Sequence, residues 1–273
     1  MLKLRIITAV ILGAIVIGVI LSGDQHLFLL FLAACVITGS WEWAGLCRCR
    51  NISVRIVYVL VMSAVLLFLA LLLPEEFVFW IIVPGVIWWC FALILIVKYQ
   101  GSRQGLFCPN QIKYLMGFMV LIPALFSLYH LYGSDRGQLL ILTMFILIWL
   151  IDSTAFFAGR AIGKIHLADR VSPGKTLEGF IASLVVAAGM AVLYGYWTSA
   201  SSLHYIFLII LFLFTALFSV AGDLFISVLK RDSNLKDSGR LLPGHGGVLD
   251  RIDSLTAASP VFVLGMLFIE GRA

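Results

Sequence analysis

Residues 203–230 read LHYIFLIILFLFTALFSVAGDLFISVLK, an apolar run broken by one carboxylate, Asp223, before it ends in Lys230 and Arg231. The run exceeds the ~20 residues needed to cross a bilayer and lacks the alternation of a barrel strand. In lipid such a segment satisfies its own backbone hydrogen bonds only as a helix. Similar runs begin near Ile6, Leu27, Ile56, Phe77, Ile112, Gln138, Gly179 and Leu255, which with Leu203 gives nine candidate spans. The 273 residues are 62% hydrophobic and 12% charged, against about 25% charged in a soluble domain. The sequence therefore predicts an all-α polytopic membrane protein of about nine transmembrane helices. It is one membrane-embedded unit with an N-terminal region (1–110), a middle region (111–170) and a C-terminal catalytic region (171–273).

The first run follows Lys3 and Arg5, as in a signal peptide, but it has a poor cleavage pattern and further spans follow at once, so it reads as a retained helix. Alternating the nine spans places all of the 19 Lys and Arg on one side except Arg136 and Arg272. Basic residues concentrate in cytoplasmic loops, so the amino terminus is expected in the cytoplasm and the carboxyl terminus outside. The outer loops, such as 22–26 and 74–76, are short, and function is expected to face the cytoplasm. Cys35, Cys47, Cys49, Cys90 and Cys108 lack the spacing of a zinc site and are given no role.

Two cytoplasmic stretches carry chemistry. Residues 227–253, SVLKRDSNLKDSGRLLPGHGGVLDRID, hold five basic residues, four Asp, one His and four Gly. Clustered cations beside glycines that expose backbone amides are what a polyphosphate needs. A simple positive-inside anchor would need neither the Asp residues nor the His-Gly-Gly run. The second stretch, VSPGKTLEGF at 171–180, ends like a P-loop, but residue 169 is Asp where that motif needs Gly. What remains is a Ser-Pro turn, Lys175, Thr176 and the start of a helix, whose amides favour an anion.

Asp223 lies ~30 Å of helical rise beyond Leu203, at the cytoplasmic edge of the hydrocarbon. A carboxylate in a span costs ~2.5 to 3.5 kcal/mol on insertion scales, so an idle Asp there is improbable. Lys230 is two turns further along roughly the same face. Asp250 and Asp253 share a face if the last helix begins near them, and a divalent cation binding phosphates jointly with one or two carboxylates suits them.

These stretches resemble the CDP-diacylglycerol synthases, also called phosphatidate cytidylyltransferases. The family signature is met by Ser227, Lys230, Arg231, Lys236, Asp237, Gly239, Leu242, Pro243, His245, Gly246, Gly247, Asp250, Arg251 and Asp253, and the resemblance extends to 171–180. It implies transfer of a cytidylyl group from CTP to phosphatidate at the bacterial inner membrane. It also implies Mg²⁺, bound by Asp223 and Asp250, a supporting monovalent cation and a homodimer. Lys230, Arg231 and Lys236 are the candidates for the triphosphate and lipid phosphate. Ser172, Lys175, Thr176, Asp237, His245, Gly246, Gly247, Arg251 and Asp253 are the candidate substrate contacts. The partners are CTP, phosphatidate and the bilayer, with no nucleic acid. Asp152, in WLIDSTAFFAGR, also matches the family, with a structural role as open as a functional one. Glu42, in SWEWAG, is left out of the site.

Other classes fit less well. A transporter places its charges near the midplane and often shows a repeat, whereas here the charges crowd one side and no repeat is visible. A phosphatidyltransferase consuming CDP-diacylglycerol would carry an Asp-Gly, Ala-Arg and spaced-Asp pattern that is absent. An inactive scaffold would have no reason to keep the whole signature.

Overall fold

The computed structural model describes residues 2–101, 109–198 and 201–269, with side chains from residue 7 onward. Arg103, Cys108, Arg272 and the side chains of Lys3 and Arg5 lie outside the described residues. Within them, nine α-helices follow in chain order: α1 (Leu2–Leu21), α2 (Gln25–Leu46), α3 (Ile52–Leu72), α4 (Val78–Gly101), α5 (Asn110–Tyr132), α6 (Gly137–Ile162), α7 (Leu177–Trp197), α8 (Ser202–Asp232) and α9 (Leu249–Ile269). Helices α2 to α9 are long and apolar enough to cross a bilayer, and α1 is apolar over Ile7–Leu21. The all-α, polytopic reading holds, with one addition. The Ser-Pro stretch expected to be a turn is a strand, β2 (Ser172–Thr176), paired antiparallel with β1 (His166–Ala168).

Local chemistry sets most boundaries. The Asp24 carboxylate accepts from the His26 and Leu27 amides to start α2, and the Asn51 side chain does the same for α3 through Ser53. Helix α8 ends where Asn234 adopts φ +58°. The Leu235 amide then donates to the Lys230 carbonyl and the Asn234 amide to that of Arg231, a Schellman stop that turns the chain sharply back. Eight expected helix starts fall within four residues of the observed ones, and the ninth, near Leu255, is six residues late. The reason is that Asp250, Arg251 and Asp253 read as loop although they form the first turns of α9.

Helices α2, α5, α8 and α9 make the centre, with α9 packed on α8 and α5. Trp89 of α4 donates its indole N–H to the Thr256 carbonyl, and Ser259 donates to that of Ala124, so α9 is tied to both neighbours. At Gly222 the α8 backbone meets α9 so closely that a Cβ would collide with the Asp253 carbonyl. The adjacent Asp223 is thereby held beside α9.

The connections α2–α3, α4–α5, α6–α7 and α8–α9 gather at one end. Lys113 pairs with Asp232, with side chains only 6% and 11% exposed. Arg48 donates to the Asp232 carbonyl, Ser233 to that of Leu46, Arg170 to that of Tyr99 at 2.9 Å, and Arg231 to that of Val171. Arg48, Lys113, Arg170 and Arg231, four of the basic residues expected on one side, thus meet at one end of the bundle. We expect Lys113→Met, which leaves the Asp232 carboxylate without its ammonium partner, to cost about 3 kcal/mol of stability. A lowered unfolding midpoint in detergent would report it, and adding Asp232→Leu should recover most of the loss.

Candidate active site

The loop that follows α8 folds back over the end of the bundle and enters α9 through a tight turn. Its Leu242 amide donates to the Gly246 carbonyl and the His245 amide to the Leu242 carbonyl, both at 2.9 Å. Gly244 and Gly246 sit at φ +78° and +83°, a region that disfavours side chains. The turn is then fixed by two carboxylates.

The first is Asp250, in the opening turn of α9. Its Oδ2 accepts from the Ser238 amide at 2.8 Å, the Ser238 hydroxyl at 3.0 Å and the Gly247 amide at 3.0 Å. Its Oδ1 accepts from the Lys230 ammonium at 2.7 Å, in a pair whose side chains are 12% and 6% exposed. The second is Glu42, which arrives from the middle of the bundle on α2 and is 5% exposed. Its Oε1 accepts from the Val248 amide at 3.0 Å and its Oε2 from the Leu249 amide at 2.8 Å. The start of α9 presents amides with no intrahelical acceptor, and a carboxylate there answers both the orphan donors and the helix dipole. The Ser238 hydroxyl lies between the two acids, 2.9 Å from Glu42 and 3.0 Å from Asp250. A Cβ at Gly239 or Gly247 would collide with Glu42, and one at Gly246 would crowd Asp250 to 2.7 Å. The signature glycines are required because two acids occupy the space a side chain would fill.

Sequence reasoning set Glu42 aside and passed over Ser238. The available signal for Glu42 was its charge in an apolar span between two tryptophans, a placement that costs several kcal/mol unless it is partnered. Nothing short of the fold reveals that its partners lie about two hundred residues away in the chain.

A second ion pair stands further along α8. Lys175, on β2, places its ammonium 2.6 Å from Asp223 Oδ2, and Ser227 donates to Asp223 Oδ1 at 3.2 Å. Lys175 therefore reaches the site from a strand. Thr176 caps the opening turn of α7 by accepting from the Gly179 amide at 3.2 Å, and Glu178 reaches outside the helix to accept from the Ile165 amide. Asp253 lies within electrostatic range of Asp223, Lys175 and Lys230, and Asp152 within range of Asp223, Lys175 and Arg251. The structure thus brings together Lys175, Asp223, Lys230, Asp250 and Asp253 from the expected set, and adds Asp152.

The remaining candidates lie around this centre. Arg231, Lys236, Asp237 and Arg251 are exposed, and Ser172, Thr176, His245 and Gly246 are half-buried. His245 turns away from the ion pairs, with its Nδ1 2.7 Å from the Thr8 hydroxyl of α1.

The expected metal pair, Asp223 and Asp250, is engaged by lysines, each ammonium standing where a cation would. For Asp223 the chemistry fits a divalent cation, because the carboxylates of Asp152 and Asp253 lie within electrostatic range of it. Asp250 has both oxygens filled, and it could join a metal only by releasing Lys230. Among the described residues no group of three or more Asp, Glu, His or Cys is arranged to hold a metal ion.

Residues 3–269 match the profile of the cytidylyltransferase family. The chain belongs to that family. Among the relatives of this cytidylyltransferase-family chain is the phosphatidate cytidylyltransferase of Haemophilus influenzae, 37% identical, with 98% of this chain and 100% of that one covered. The phosphatidate cytidylyltransferase of Pseudomonas aeruginosa is 38% identical over 96% of each chain, and that of Brucella abortus 35% over 98% of this chain and 95% of its own.

Glu42→Gln keeps the shape but turns an amide N–H₂ toward a backbone N–H. The loss of charge-assisted bonds is expected to cost about 2 to 3 kcal/mol of loop stability. We expect faster proteolysis between residues 233 and 248 and a fall in transferase activity of at least about tenfold. Intact activity with unchanged proteolysis would show that the glutamate does not organise the loop.

Proposed function

We propose that this chain transfers the cytidylyl group of CTP to phosphatidate, forming CDP-diacylglycerol and pyrophosphate. The observation that carries the reading is the pair of lysine–carboxylate contacts, Lys175–Asp223 and Lys230–Asp250, at the basic end of a membrane-spanning bundle. They put cations at the depth where a lipid phosphate meets water. Full-length likeness to proteins named phosphatidate cytidylyltransferase gives the substrates. The proposal includes nine spans with a cytoplasmic amino terminus and external carboxyl terminus. It places the site at the cytoplasmic face of a bacterial inner membrane, because the basic connections gather there.

In the proposed reaction a phosphate oxygen of phosphatidate attacks the α-phosphorus of CTP, and the bond to pyrophosphate breaks. A phosphate monoester with a second pKa of about 6 is already largely dianionic near neutrality, so no strong general base is needed. The barrier is the meeting of two anions, and the chain's part is to neutralise and align them. Lys175 and Lys230 each hold a carboxylate that a phosphate can replace. Exposed Lys236 is free to turn onto the triphosphate, whereas Arg231 is anchored to the hairpin through its bond to the Val171 carbonyl. Ser172 and Thr176 shape the hairpin beside Lys175, and the Gly246 and Gly247 turn with Asp237 and Asp253 borders the same space. Mg²⁺, held by Asp223 with Asp250, would supply charge neutralisation at the phosphates. A supporting monovalent cation and a homodimer are carried over from the family resemblance.

Purified protein given α-labelled CTP, phosphatidate and Mg²⁺ is expected to place label in lipid. Asp223→Asn should raise the Mg²⁺ concentration for half-maximal activity, and Asp250→Ala should abolish transfer. A wild-type enzyme that labels no lipid under any metal condition would defeat the proposal. An active Asp250→Ala variant would remove Asp250 from the site while leaving the reaction in place.

A further inference from the structure

Beside the signature loop, a cleft of about 830 Å³ opens between α1, α2, α5 and α6. That is within the range of about 300–1,000 Å³ typical of ligand sites. Its walls are almost wholly apolar, among them Val10 and Ile17 of α1, Phe31 and Cys35 of α2, and Trp149 of α6. Thr38 of α2 adds one hydroxyl, and His245 and Arg251 line the loop end. Along α1 the lining runs from Ala9 to Ile20, a rise of ~16 Å, which is about half of a ~30 Å hydrocarbon core and so one leaflet deep.

Small residues create this space. Ala9, Gly13 and Ala14 face it in successive turns of α1, and a Cβ added at Gly13 meets nothing within 4 Å. Helix α1 is also fastened to the loop, because Thr8 lies 2.7 Å from His245 Nδ1 and donates to the Pro243 carbonyl. The wall of the cleft and the turn that enters α9 are therefore joined directly.

We propose that this cleft is the acyl-chain subsite for phosphatidate, with Arg251 and His245 at the phosphate end. The charge matches, with a guanidinium and an imidazole above an apolar slot one leaflet deep, which is the pattern of a lipid with an anionic head. The assignment rests on the proposed reaction and makes α1 a determinant of chain-length preference.

The test uses the full-length enzyme in mixed micelles, with dioleoyl and dioctanoyl phosphatidate as substrates. Gly13→Leu should raise KM for the dioleoyl lipid about tenfold, as filling a hydrophobic pocket does. The dioctanoyl KM should change much less, and the KM for CTP should stay at its wild-type value. Gly18→Leu is the control, since Gly18 is equally open on the same helix but does not line the cleft. An unchanged dioleoyl KM in Gly13→Leu, an equal rise in Gly18→Leu, or a parallel rise in the CTP KM would each overturn the assignment. A phosphatidate with a photoreactive acyl chain should label residues of α1 and α2 in the wild type. Equal labelling by a photoreactive phosphatidylcholine would mean that the cleft holds bulk bilayer lipid, and would also overturn it. A wild-type enzyme without transferase activity but with selective phosphatidate labelling would defeat the proposed reaction and leave the subsite standing.

Discussion

The carboxylate of Glu42 at the start of α9 is the contact on which the active end depends. A helix that begins at a membrane surface exposes several amides with no acceptor, and none of the apolar side chains from Leu235 to Val248 in the glycine-rich loop is buried enough to hold it. Glu42 answers both needs from α2, taking the Val248 and Leu249 amides and the Ser238 hydroxyl. Burial strengthens these bonds, because in a medium of low dielectric a carboxylate has no water to prefer. The arrangement also joins two distant parts of the chain, so the loop takes its place only when the bundle has formed.

From that anchor the rest of the site follows by short steps. With α9 started at Leu249, Asp250 can reach back to the Gly247 and Ser238 amides and forward to Lys230. The Schellman turn at Asn234 brings the chain back in time for Ser238 to stand between the two acids. The close approach of α8 and α9 at Gly222 then sets Asp223 beside Asp253, and the hairpin between α6 and α7 delivers Lys175 to the same point. Each cation thus comes from a different segment than most of the carboxylates it serves.

The signature loop borders both the ion pairs and the slot walled by α1 and α2, whose loop end is lined by His245 and Arg251. Helix α1 is joined to the signature loop through Thr8, although its sequence looks like a plain membrane anchor.

The sequence alone determined the solvent and the elements. Apolar runs of bilayer length exclude a water-soluble fold and admit only helices, and eight of nine starts were legible because polar breaks and capping residues act within a few positions. The charged loop and the lysines at 175 and 230 were legible too, since a cluster of cations and glycines is costly to place at a membrane without a purpose. The pairing was decided only by tertiary structure. Whether Lys230 would meet Asp223 or Asp250, that β2 rather than a helix end carries Lys175, and that Glu42 caps α9 all depend on which helices adjoin. Helix adjacency is set by side-chain packing across the bundle, which leaves no periodic mark on the linear sequence.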